Sequence, residues 1–152
     1  MKRSLLIAAV SMIALLSQVA LAPKASWAGE DNDKTIQLLF VQDAQDFAFA
    51  GGRMTLKGVN PITAFFIHRP DRIDGTLTTK EFIPLWSEWE KSFLVDPVHA
   101  TLSIVGDSKL TELALVLRSP QLTGDELTYN VDVLQGSAPA KGGLCSLFIE
   151  SN

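Results

Sequence analysis

Between residues 126 and 134 the chain alternates without a break. Leu127, Tyr129, Val131 and Val133 fall on one side, and Glu126, Thr128, Asn130 and Asp132 on the other. A repeat of two is the period of an extended strand with one face buried and one wet, and no helix can satisfy it. The same pattern recurs on either side. Ile36, Leu38 and Phe40 share a face in residues 35–42, with Leu39 and Val41 thickening the other. Phe47 and Phe49 share the next face, and Met54 and Leu56 answer them across Gly51-Gly52, where a tight hairpin needs positive φ. Val98, Ala100, Leu102 and Ile104 form a further face, residues 110–118 are apolar on both sides at 113–117, and a last strand covers 144–150. Turn signals fall at 59–61, 106–109 and 120–125, and residues 135–143 form a flexible loop rich in Gly and small side chains. Seven to eight short strands punctuated in this way predict a mainly β protein, an antiparallel β-sandwich or partly open barrel.

The start of the chain does not share the pattern. Lys2 and Arg3 precede an apolar run over 5–16, and Ser26-Trp27-Ala28 supplies the small residues of a cleavage site. That layout predicts a secretory signal peptide over 1–28, cut between Ala28 and Gly29. The apolar run is broken by Ser11, Ser17 and Gln18 and falls short of the ~20 clean residues of a spanning helix, so no stable membrane insertion is expected after cleavage. A polar leader over 29–34 then precedes a single β domain over 35–152, long enough to bury its own core. Lys2, Arg3 and Lys24 leave with the signal peptide while all 17 acidic residues stay, so a net charge of −4 becomes about −7. An acidic surface argues against nucleic acid or an anionic membrane as partner. Cys145 is the only cysteine, so burial alone must hold the fold. The reading is an exported protein, periplasmic or secreted.

One stretch departs from the repetitive β pattern. ITAFFIHR is apolar on both faces at 64–67, as in a strand covered on each side; HRPDRIDG is a charged corner; LTTKEFIPLWSEWE is an amphipathic helix over about 79–91. Pro70-Asp71 and Asp74-Gly75 suit the centres of tight turns. Thr78 reads as the helix N-cap, with Glu81 completing a capping box and Leu77 and Phe82 a hydrophobic staple. Phe82, Leu85, Trp86, Trp89 and Phe93 recur at helical spacing as one apolar stripe. Pro84 lies inside this helix, where proline costs ~3 kcal/mol, and predicts a kink or restart.

The runs MTLKGVNPITAFFIHRPDRIDG, FIPLWSEW, LRSPQLTGDELTYNVDVLQG and GGLCSLFIE resemble a family of small secreted bacterial proteins to which no activity is assigned. The resemblance covers most of the chain after the leader and implies export and one compact domain. An acidic residue commonly precedes the Arg-Pro pair in that family. His68 stands there in this chain, which weakens the case for a shared carboxylate.

Among candidate site residues, His68, Arg69, Asp71 and Arg72 cluster at the charged corner. The arginines either grip an anion or an acidic partner, or brace the corner by pairing with Asp71, Asp74 or a glutamate. Strand parity places Arg69 nearer the core than Arg72. His68, His99 and Cys145 match no metal-ligand spacing, and parity separates them: His99 falls on the polar face of its strand, Cys145 on the apolar face with Leu147 and Ile149. The same parity opposes a Cys/His nucleophile pair, and no G-x-S-x-G elbow supports a serine triad. Trp86 and Trp89 form either an aromatic platform or core, and Glu88 and Glu90 lie off the stripe. No catalytic residue, metal or cofactor is assigned. The expectation is a non-enzymatic binding or accessory module acting on a protein or cell-envelope component. The alternative is a small hydrolase using His68 or His99 in a surface cleft.

Overall fold

The length of the first strand decides how the sheet closes. A computed structural model of the protein describes residues 37–68, 71–92 and 98–151, the side chains of 89–92, 141 and 151 excepted. The described elements are β1 (Leu38–Ala50), β2 (Arg53–Val59), β3 (Ile62–Ile67), β4 (Ile73–Thr78), α1 (Thr79–Ser92), β5 (Val98–Val105), β6 (Leu110–Thr123), β7 (Glu126–Gln135), β8 (Lys141–Gly142) and β9 (Cys145–Ser151). Leu38 to Ala44 of β1 pair with β9, and Ala44 to Ala50 pair with β2. Because β2, β7, β6, β5 and β9 are joined in that order, β1 completes a ring of six antiparallel strands. The β expectation therefore holds, and the architecture is a closed barrel. Residues 38–42 and 46–50, which the sequence divides, belong to one strand of 13 residues.

Two other segments use what remains of β1. The two-residue β8, within the expected loop, pairs with Phe47 and Ala48. On the opposite flank Leu38 to Val41 pair with β3, which turns back as β4, so a hairpin leaves the ring. The bend that lets β1 serve both neighbours is visible in its side chains. Ala44 and Phe47 are both buried, with Gln45 and Asp46 between them; β2 answers with Leu56 and Val59 buried around Lys57 and Gly58. Alternation thus slips at the same level in both strands. Gly58 takes φ 60° there, and a Cβ on it would stand 3.1 Å from the Gln45 side chain, so glycine is favoured at this position.

The barrel is filled by its own side chains. Phe47, Met54, Leu56, Leu102, Leu127 and Leu147 are wholly buried in a core to which every strand of the ring contributes. Through this core runs a chain of polar groups. Tyr129 donates its hydroxyl to Gln42 Oε1 at 2.7 Å; Gln42 Nε2 reaches Thr63 Oγ1 at 3.4 Å; Thr63 and Thr79 hydroxyls meet at 2.9 Å; and Thr79 donates to the Asn60 carbonyl at 2.6 Å. Because Thr79 gives its proton to a carbonyl, it must accept from Thr63, which in turn accepts from Gln42. Every donor points the same way, from barrel to helix, and all four side chains are buried.

The helix begins where its capping residues require. Glu81 N–H donates to Thr78 Oγ1 at 3.1 Å, and the Glu81 carboxylate accepts the Thr78 N–H at 2.9 Å and its hydroxyl at 2.9 Å. These two donors, backbone first, hold the Glu81 carboxyl below its ordinary value. What precedes the helix differs from expectation: residues 73–78 form β4 instead of a second turn, so Asp74-Gly75 lies in a strand paired with Phe65 and Phe66. The ring of Phe65 covers Gly75 so closely that a Cβ there would stand 2.7 Å from it. Pro84 does not split α1, which runs unbroken from Thr79 to Ser92. Pro84 and Lys80 are both exposed, so the Lys80 carbonyl left without a donor can turn to water. Thr78→Ala is expected to cost about 1 kcal/mol, read from the urea midpoint. Glu81→Ala should cost less, and its effect should fade in acid, because a carboxyl with a depressed folded pKa stabilises only while ionised.

The buried face of α1 carries Thr79, Phe82 and Trp86, with Ile83 partly buried. Phe82 meets Phe40 edge-on at 5.2 Å, and Trp86 lies 5.8 Å from the ring of Tyr129. Trp86 is therefore core. Its Nε1 is the one buried side-chain polar atom among the described residues without a hydrogen-bond partner. The side chain of Trp89 and all of Phe93 lie outside the described residues.

Candidate binding surface

His68, Asp71 and Arg72 lie between β3 and β4, so the corner joins two strands and not a strand to a helix. His68 is exposed, and its backbone N–H is tied to the Gln37 carbonyl at 2.9 Å. Asp71 and Arg72 are exposed as well, and none of the three forms an ion pair among the described residues. The expected brace between Arg72 and Asp71 or Asp74 is absent from that set. Arg69 and Pro70 lie outside the described residues, and with them the expectation that Arg69 sits nearer the core. The structure thus brings His68, Asp71 and Arg72 to one tip, with none of the three in an ion pair among the described residues.

Behind the tip the hairpin is apolar on surfaces that the sequence pattern did not single out. Ile62 is 54%, Phe66 38% and Ile73 52% exposed. The sequence signal for these residues existed, since residues 64–67 are apolar on both faces. The sequence therefore predicts a strand covered on each side. β3 instead sits outside the ring, and Phe66 turns its ring outward beside Leu39 of β1.

His99 is exposed on β5 opposite Glu150, while Cys145 is buried with Leu147 and Ile149, as parity requires. The Cys145 thiol sits 3.9 Å from the Ala44 carbonyl. Burial first, and then the nearby Asp46 and Asp43, push it up to about 11. A thiol-specific reagent at neutral pH should therefore label Cys145 slowly until the protein unfolds; complete labelling of folded protein within minutes would contradict this placement.

A second feature, missed in the sequence, is an open cleft of about 440 Å³ beside the slip in β1 and β2, lined by Asp43, Gln45, Asn60, Asp125 and Leu144 among others. Its polar groups are largely used locally. The Asp43 carboxylate accepts the Ser146 hydroxyl, Asn60 Oδ1 accepts the Ile62 N–H at 2.9 Å, and the Asp43 and Asp125 carbonyls accept the Asn60 and Val59 N–H groups at 2.7 and 2.9 Å. Neither His68 nor His99 lines it. No cluster of three metal-ligating side chains occurs among the described residues, and no described helix is long and apolar enough to cross a membrane. No protein-family model matches the chain, nor does any curated protein or solved structure.

Proposed function

We propose that the protein is an exported binding or accessory module, with no chemistry of its own, that engages another protein or a cell-envelope component through the β3–β4 hairpin. The observation that carries this is the hairpin itself. It leaves a closed barrel and sets exposed Ile62 and Phe66 on one face, and exposed Ile73 on the other, behind a tip whose Asp71 and Arg72 form no ion pair among the described residues. Apolar anchors rimmed by charge are the composition of a recognition patch: the apolar groups supply affinity, and the charges supply orientation and encounter rate. The barrel behind it is packed solid, which makes it a rigid mount for the hairpin. The signal peptide read over 1–28 and the resemblance to secreted proteins support a partner outside the cytoplasm.

Binding of the purified protein to envelope fractions and to isolated envelope proteins tests this. Wild type should bind saturably and more weakly as salt rises, because the tip charges are exposed to screening. A Phe66→Ser/His68→Ala/Arg72→Ala variant should lose that binding while melting close to wild type. Equal binding by the variant would overturn the assignment of the surface.

A further inference from the structure

A closed barrel has no strand edge, but β4 restores one, and its main-chain pattern can be worked out. Thr79 N–H donates to the Pro61 carbonyl at 2.8 Å, which makes 61 and 79 a hydrogen-bonded position of the β3–β4 ladder. Such positions alternate, so Ile73, Gly75 and Leu77 turn their main-chain groups to β3, and Asp74, Thr76 and Thr78 turn theirs away. The outward N–H of Thr78 is the one that Glu81 caps, in agreement with this phase. The N–H and C=O of Asp74 and of Thr76 remain open, since β4 pairs only with β3 among the described residues. Donors and acceptors repeating every second residue along a line match another extended chain and little else.

We propose that this edge pairs with the same edge of a second copy, antiparallel and centred on Gly75, to form a two-fold dimer. The register follows from charge and from the cap. With Gly75 facing Gly75 of the second copy, Asp74 lies opposite Thr76 and Thr76 opposite Asp74, so all four open residues are paired. Ile73 then faces Leu77, and Arg72 faces Thr78 beside the Glu81 carboxylate of the other copy. Centring on Asp74 would set two carboxylates face to face, which opposes pairing. Centring on Thr76 would direct Asp74 to Thr78, whose N–H is already taken. The single edge charge, of a kind that usually blunts strand edges, meets a hydroxyl in this register. The contact is isologous and closes on itself, so it ends at two copies. It shares Ile73 and Arg72 with the surface proposed above but rests on the main-chain groups of Asp74 and Thr76, which that surface does not use.

Sedimentation velocity over a concentration series, in reductant, tests it. Wild type should show a reversible monomer–dimer equilibrium. Thr76→Asp places a carboxylate opposite Asp74 at two symmetric positions and should weaken the dimer about tenfold. Asp74→Lys added to Thr76→Asp should restore it, because each lysine then faces the new aspartate. Both side chains are exposed, so both variants should melt as wild type does. A protein that stays monomeric at its highest soluble concentration would overturn the proposal, as would one that binds an added extended peptide here but not itself. A dimer indifferent to Thr76→Asp would place the contact on another face, and failure of the charge exchange to rescue would overturn the register. Envelope binding is read with a different variant, so either result can fail alone.

Discussion

Phe82→Ala is expected to destabilise the protein by about 3–5 kcal/mol, the range for deleting a fully buried aromatic ring. Phe82 is 0% exposed and touches two other rings, Phe40 at 5.2 Å and Trp86 at 5.9 Å, so little can collapse into the space it leaves. The helix depends on this contact more than its length suggests. Only Phe82 and Trp86 among its described large side chains are fully buried, Pro84 withdraws one of its hydrogen bonds, and an isolated helix of 14 residues is marginal in water. The loss should therefore appear as early release of α1: near-ultraviolet dichroism of the Trp86 environment should melt before the β signal. Urea titration followed by both signals measures it. A change below about 1 kcal/mol would mean that the helix is held by something other than its aromatic face.

Breaking the buried polar chain should be nearly as costly. Gln42→Leu keeps the bulk of the side chain but strands the Tyr129 hydroxyl in the core, a loss of about 1–3 kcal/mol. Tyr129→Phe strands Gln42 Oε1 and should cost a similar amount. The double variant should cost clearly less than the two losses added, because it removes both ends of the same bond. Burial drives the Tyr129 phenol far above its ordinary value of 10.0. A group whose folded pKa is raised stabilises fully below its unfolded pKa and loses that contribution as pH climbs from there towards the folded value. Stability should therefore hold to about pH 9, decline through the Cys145 window up to about 11, and fall further above 10 as Tyr129 is forced to ionise. Tyr129→Phe should move the alkaline limb of this curve to higher pH, although the variant is less stable at neutrality. An unchanged alkaline midpoint would show that other groups control it.

The chain shows how unevenly a candidate site can be read from residues alone. His68, Asp71 and Arg72 attracted attention through charge density, and they do meet at one tip because Ile67 and Ile73 are paired directly behind them. Ile62, Phe66 and Ile73 fit an ordinary strand pattern, which does not tell which faces are left uncovered. Gln42 follows Phe40 at inward parity, where a polar side chain must find a partner, but its partners lie 21 and 87 residues away.

What the sequence determined by itself is local. Period-two runs set the strands, with Cys145 inward and His99 outward, and Thr78 with Glu81 set the first turn of the helix, because these depend on side-chain direction and on groups three residues apart. The tertiary structure alone decided that β1 is one strand, that its alternation slips at Gln45 opposite Gly58 of β2 as the ring closes, and that β3 and β4 are left outside with an open edge among the described residues. Alternation specifies which face of a strand is buried but not which strand lies beside it. Pairing is chosen by how the whole set of faces can enclose one core, and that choice leaves Phe66 in the open and Gln42 within reach of Tyr129.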